Sequence, residues 1–280
     1  MAGLAAGLDP SAIIWFGIDD TACGIGELPH SADAGNCRAC GAELLYDHVL
    51  LGHLGHWRCP ECNARRPAVD YSLSELTLTG ASRSQLLLND RAGDNHLVEL
   101  ALPGVYNAYN ALSAWVIAAE TGVDSAAIKT GIEGSDAAFG RAEEFSIDGT
   151  QAAMLLIKNP TGANEVLRTL SLEADQLNLV LILNDGIADG RDVSWIWDAD
   201  FDVLADRTSS VICSGKRSAE MALRLSYAGF GSATVVDEPL SAVREAAANG
   251  HGKVWVLPTY TAMLSLRSQL EQAGLVAAVK

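Results

Sequence analysis

The chain has 280 residues, 49% of them hydrophobic, and a formal net charge of −16. That length accommodates two ordinary domains of ~100–150 residues, and so high an apolar content excludes disorder as the reading. The acidic balance excludes a phosphate-backbone binder, which needs Lys and Arg to release counterions, and a polybasic membrane-surface role; no nucleic-acid partner is expected.

Met1 to Pro10 shows neither a charged n-region nor a long apolar h-region, so no signal peptide is expected. The longest apolar run, Leu177 to Leu183, contains Asn178 and is much shorter than the ~20 residues of a membrane helix. No transmembrane segment and a cytoplasmic location follow as expectations. In a reducing compartment a regular cysteine pattern favours a metal over disulfides. Cys23 and Cys213 stand apart from that pattern and read as small core residues.

In chain order, Ala12 to Ile18 predicts a buried strand and Thr21 to Asp33 a loop broken by Gly and Pro. Cys37 and Cys40, then eighteen intervening residues, then Cys59 and Cys62 make two C-x2-C pairs. Each pair forms a knuckle on which two thiolates converge, and a hairpin between them brings the four sulfurs together. Four thiolates suit a closed tetrahedral Zn(2+) site that is structural, with no vacant position for catalysis. Gly41 and Asn63 each follow a pair directly, where the turn demands them. His48, His53 and His56 lie between the pairs, but four cysteines complete the shell without them. This ribbon, residues 35–68, closes at Arg65-Arg66-Pro67.

From Val69 to Leu100 apolar residues alternate between turn signals, as in an antiparallel meander. Asn107 to Thr121 carries Ala111, Leu112, Trp115, Val116 and Ala119 on one helical face and stops at Gly122; Ser125 to Gly134 predicts a second helix. Asn107 reads either as the N-cap of the first helix or, with Asn110 three residues on, as one of two amides presented on a single face.

Beyond Gly140 the rhythm changes. The apolar runs Met154–Ile157, Leu179–Leu183, Val211–Cys213, Ala233–Val236 and Val254–Leu257 are separated by the helical stretches Ala163–Leu172, Ala219–Ala228, Leu240–Asn249 and Thr261–Ala273. This alternation predicts a doubly wound α/β domain with a mostly parallel sheet.

No G-x-x-x-x-G-K-[ST] phosphate cradle occurs, and Gly24-Ile25-Gly26 is followed by Pro29 where a dinucleotide loop wants Gly. Ligands of such sheets bind at the carboxyl ends of the strands, and two loops there are rich in polar residues. One runs from Lys158-Asn159-Pro160 to Glu165, where the free amides of a helix start suit an anion. The other, Asn184 to Asp198, combines several aspartates with Arg191, Trp195 and Trp197. A plain alternative for the second is an exposed loop pinned by its tryptophans, with Arg191 paired to a carboxylate. Phe139-Gly140-Arg141-Ala142-Glu143 sits between the halves.

Together these segments resemble the Mur ligases. Gly104 to Ala111 is similar to their G-x-x-N-x-x-N-A helix start, and Phe139 to Glu143 to their F-x-G-R-x-E junction. The cysteine ribbon and the Asp189-to-Asp198 loop narrow the likeness to the MurT-type, ligase-like subunits of lipid II isoglutaminyl synthases. The resemblance implies a partial Mur ligase central domain over residues 1–147, with the four-cysteine zinc ribbon inserted in it, and a doubly wound C-terminal α/β domain over 148–280. It implies ATP and Mg(2+) as cofactors, with Asn107 and Asn110 at the adenine, Arg141 at the nucleotide, and Lys158 and Asn159 in the first C-terminal strand-to-helix turn. The implied reaction is amidation of the α-carboxyl of D-glutamate in lipid II through an acyl phosphate. The implied partner is a GatD-type glutaminase, whose Cys-His pair an aspartate of the chain completes: Asp192 first, then Asp189.

Two departures accompany the likeness. The Walker loop of Mur ligases is missing, so an N-terminal portion is expected to be lacking, and these 280 residues alone are expected to bind ATP weakly and to be inactive. The acidic residue that many Mur ligases place near Leu155 is also absent. Two other readings stand beside this one: a non-catalytic zinc-ribbon scaffold docking a partner through its acidic α/β domain, and a carboxylate–amine ligase without a glutaminase.

Overall fold

The computed structural model describes residues 5, 7–26, 28–29, 35–135 and 141–277, with 141 and 142 by backbone alone. The chain divides into two compact units, Met1–Asp136 and Ala137–Lys280.

In the first unit, strand β1 (Phe16–Ile18) pairs in parallel with β4 (Tyr71–Thr79), and β4, β5 (Arg83–Asn89) and β6 (Asn95–Leu100) form the expected antiparallel meander. The predicted strand Ala12–Ile18 is shorter than expected. Pro10–Ala12 is a 3-10 turn capped by Asp9, and the Trp15 amide donates to the Asp70 carboxylate at 2.8 Å instead of to a neighbouring strand. The ribbon hairpin, β2 (Leu45–Leu51) with β3 (Leu54–Arg58), stands as a separate two-stranded sheet. Helix α1 (Gly104–Glu120) lays Val105, Ala108, Leu112 and Trp115 on the meander against Leu73, Leu86, Leu88 and Val98, and α2 (Ser125–Glu133) adds Ile128. Burying whole aliphatic side chains in this way is worth roughly 1.5–3 kcal/mol apiece before entropy is counted.

The second unit is built on a six-stranded sheet. Its strands are β7 (Arg141–Ile147), β8 (Thr150–Leu155), β9 (Leu177–Ile182), β10 (Thr208–Ser214), β11 (Thr234–Val235) and β12 (Val254–Pro258), in spatial order β11-β10-β9-β12-β8-β7. All neighbours are parallel except the edge strand β7, which runs antiparallel to β8. Helices α3 (Pro160–Ser171), α4 (Ser218–Tyr227), α5 (Pro239–Ala248) and α6 (Tyr260–Gln272) fall where the sequence predicted them. The central strand β9 is buried at all six positions, as a sheet covered on both faces requires. One core joins Met154, Val180, Ile182 and Val256 to Val243, Ala246, Met263 and Leu266 of α5 and α6.

The unit boundary differs from the expected 147/148. Strand β7 turns through Asp148, at φ 48°, and Gly149 to pair with β8, so Arg141–Ile147 belongs to the second sheet. Its sequence, with Glu143, Glu144 and Ser146 among apolar residues, has the half-polar composition of an edge strand and gave no run to detect.

Candidate functional site

Two places concentrate chemistry, one in each unit. In the ribbon, the sulfurs of Cys37, Cys40, Cys59 and Cys62 all lie within 4.8 Å of one another, with Cys37–Cys62 and Cys40–Cys59 at 3.5 Å. A tetrahedral zinc with bonds of about 2.3 Å needs sulfurs about 3.8 Å apart, so the set fits that ion. Gly41 and Asn63 both take positive φ, 80° and 60°, as the knuckle turns demand. The amides of Ala39 and Cys40 point at the Cys37 sulfur and lower its pKa to about 7. The Ala42 amide likewise favours the Cys40 thiolate, but the neighbouring cysteine sulfurs and burial push that thiol up to about 12. A cluster that resists holding several negative charges is one that a dication relieves. The histidines stay outside it: the His56 ring contacts the Ile18 carbonyl at 3.1 Å.

Beside the ribbon, the first unit holds a cleft of about 820 Å³ lined by Trp15, Trp57, Tyr106, Tyr109 and Asn110 among others. Asn107 is not among its lining residues and does not cap its helix. The N-cap is Pro103, and the Asn107 amide donates back to the Pro103 carbonyl at 2.7 Å. Asn110, one turn on, is exposed.

At the carboxyl edge of the second sheet, the loops after β8, β9 and β10 converge on the first turn of α6. Asn159 caps α3, its Oδ1 accepting from the Gly162 amide at 2.8 Å, and Lys158 lies with Nζ 6.0 Å from the Tyr260 ring centroid. The Asn184 amide donates to Thr259 Oγ1 at 3.0 Å, its side-chain oxygen accepts from the Lys216 amide at 3.0 Å, and its Nδ2 reaches Thr261 Oγ1 at 3.3 Å. Asp189 is 8% exposed; its Oδ1 accepts from the Thr261 amide at 2.7 Å, and its Oδ2 from the Gly186 amide and the Thr261 hydroxyl. Asp192, three residues on, is exposed; Oδ1 accepts from the Ser194 amide at 2.8 Å, which holds its carboxyl below the usual range and ionised. Trp195 is partly buried, and Trp197 packs against Tyr227 and over Arg224. Trp197 is half exposed, and the buried anchors are Val193, Ile196 and Ala199.

Of the junction segment, Phe139 and Gly140 lie outside the described residues, Arg141 opens β7, and Glu143 accepts from Nε of the buried Arg267 at 3.1 and 3.2 Å. Thr259 and Thr261 were missed in the sequence. Both fall where a strand passes into a helix, and that position was the available signal.

The MurT ligase C-terminal family matches residues 156–263, the span that contains these loops. That match takes in most of the second unit. Over 271 residues the chain is 36% identical to the lipid II isoglutaminyl synthase (glutamine-hydrolyzing) subunit MurT of Streptococcus pneumoniae, covering 95% of this chain and 59% of that one. To the MurT subunit of Staphylococcus aureus it is 32% identical over 239 residues, 85% and 53% of the two chains. The chain is therefore MurT-like and spans a little over half the length of these relatives. Its fold is that of the Mur ligases. The pseudomurein peptide ligase type C of Methanothermus fervidus superposes with a TM-score of 0.64 at 20% identity over 93% of this chain and 53% of that one. The UDP-N-acetylmuramate-alanine ligase MurC of Thermotoga maritima gives 0.56 at 15% identity, over 75% and 47%. No helix among the described residues of the MurT-like chain is long and apolar enough to cross a membrane.

Proposed function

We propose that the chain is part of the ligase subunit of a glutamine-hydrolysing lipid II isoglutaminyl synthase. ATP phosphorylates the α-carboxyl of D-glutamate in lipid II; ammonia then attacks the acyl phosphate and inorganic phosphate leaves, giving D-isoglutamine. A GatD-type glutaminase, paired with the ligase subunit as a heterodimer, releases that ammonia from glutamine. The observation that carries this reading is the 36% identity to a MurT subunit along 95% of the chain.

Within this reading individual residues take separate roles. Cys37, Cys40, Cys59 and Cys62 hold one structural Zn(2+), which supplies folding free energy to an insert with little core of its own. Of the residues assigned to the nucleotide, Asn107 and Asn159 already spend a side-chain polar atom on the backbone. Asn110 in the first unit and Lys158 in the second are exposed, and each stays a candidate nucleotide contact within its own unit. Mg(2+) bound with ATP neutralises charge on the transferring phosphoryl group. Asp192, ionised and exposed, orients the histidine of the glutaminase, and so acts on glutamine hydrolysis rather than on the ligation itself.

The test is reconstitution of the full ligase subunit with its glutaminase, lipid II, ATP and glutamine, with the product read by mass spectrometry. Conversion that needs both glutamine and ATP supports the proposal. A stable complex that binds the glutaminase yet never amidates lipid II favours the scaffold reading, and amidation that proceeds with ammonium but never with glutamine favours a ligase without a glutaminase.

A further inference from the structure

Resting on the reading of Asp192 just given, we propose that Asp189 and Thr261 are positioning residues: they latch the loop after β9 to the first turn of α6 and so fix where Asp192 is presented to the glutaminase. A helix begins with amides that have no partner within the helix. In α6 the N-cap residue Thr259 makes no side-chain cap; its hydroxyl oxygen is taken by the Asn184 amide. The Thr261 amide, in the first turn, is capped instead by Asp189, 72 residues earlier in the chain. A carboxylate at that end of a helix is favoured by the helix dipole, and both oxygens of Asp189 are engaged. It therefore has little left to offer a partner protein.

The latch is tightly built. A Cβ on Gly186 would stand 2.9 Å from Thr261 Cγ2 and 3.0 Å from Asp189 Oδ2, so the approach depends on a residue without one. Downstream, Gly190 at φ 84° turns the chain, and the buried Val193 and Ile196 anchor the far side. Asp192 thus lies between two fixed points, with its own carboxylate braced by the Ser194 amide. A loop held only for stability would need the anchors but not an exposed, ionised acid between them.

The experiment compares Thr261→Val, Thr261→Ser, Asp189→Asn and Asp192→Asn in the full ligase subunit assembled with its glutaminase. Since a misplacement of about 1 Å can cost about a hundred-fold in rate, Thr261→Val and Asp189→Asn are expected to lower kcat for glutamine hydrolysis roughly ten- to a hundred-fold. KM for glutamine, assembly with the glutaminase and amidation fed by ammonium should stay unchanged. Thr261→Ser, which keeps both donors, should hydrolyse glutamine at the wild-type rate. If Asp192→Asn cripples hydrolysis while Thr261→Val and Asp189→Asn leave kcat intact, the latch is refuted and the reading of Asp192 stands. If Asp192→Asn itself hydrolyses glutamine at full rate, the reading beneath it fails. Loss of ammonium-fed amidation together with kcat would mean general destabilisation and would also overturn the latch; should Asp189→Asn not fold, the Thr261 pair decides.

Discussion

The side chain of Asn107 closes a ring onto Pro103, donating to its carbonyl at 2.7 Å one turn back along α1, whereas Asn110 makes no such return and faces the solvent. Two residues that look equivalent in the N-x-x-N spacing are thereby separated into one that builds the helix start and one that is available to a ligand.

Asn107→Ala is accordingly expected to cost about 1 kcal/mol of stability, the typical worth of one hydrogen bond. Asn110→Ala should leave stability within about 0.5 kcal/mol while weakening nucleotide binding by the full ligase subunit. Urea unfolding and nucleotide titration of the two variants, side by side, check the split.

The ribbon should carry one zinc per chain, measurable by atomic absorption on protein purified without added metal. Cys62→Ser is expected to lower that content and, because metal binding and local folding are one equilibrium, to expose the hairpin Leu45–Arg58 to proteolysis. A chelator should do the same to the wild-type chain, with zinc reversing it. Full protection from protease without metal would refute the assignment.

Glu165 on α3 has a buried Oε2 without a hydrogen-bond partner among the described residues, and burial raises its pKa from 4.5 to about 7 against the opposing pull of Arg168. In the unfolded chain the carboxyl titrates near its ordinary value, so between about 4.5 and 7 the folded state binds the extra proton. Stability therefore falls as pH rises through that window and stays reduced above it. At about 1.4 kcal/mol per pKa unit the loss is on the order of 3 kcal/mol. Glu165→Gln should abolish most of that slope and be the more stable protein at pH 8, as thermal melts across the window would show.

Arg224 is buried in α4, with Nε donating to the Ile196 carbonyl at 3.0 Å and Nη2 to the Ala199 carbonyl at 2.7 Å, and its guanidinium 5.7 Å from the Trp197 ring centroid and 5.5 Å from that of Phe201. Arg224→Ala would strand two carbonyls and remove the platform beneath Trp197, a loss of about 2–4 kcal/mol. Lysine cannot reproduce the planar fork, so Arg224→Lys should recover only part of it in denaturant titrations.

Much of this was legible in the sequence because the underlying physics is local. Four cysteines at C-x2-C spacing, each pair followed by Gly41 or Asn63, specify the knuckles without reference to the rest of the chain. Short Val-, Ile- and Leu-rich runs alternating with amphipathic stretches place β8 to β12 and α3 to α6 within a few residues, since burial on two faces or on one leaves different periodicities. Strand β7 escaped because an edge strand has one hydrogen-bonding side unpaired and need not be apolar throughout.

What the sequence determined by itself was thus the ribbon, the doubly wound second half and the polar loops at the carboxyl edge of its sheet. The tertiary structure alone decided which side chains of those loops are engaged and which are exposed. Asp189 and Asp192 are alike in type and three residues apart; only the arrival of Thr261 from 72 residues away, at a helix end whose amides need a cap, ties up the first and leaves the second exposed. Such pairings follow from where strands lie in the sheet, a long-range outcome of packing that local periodicity does not encode.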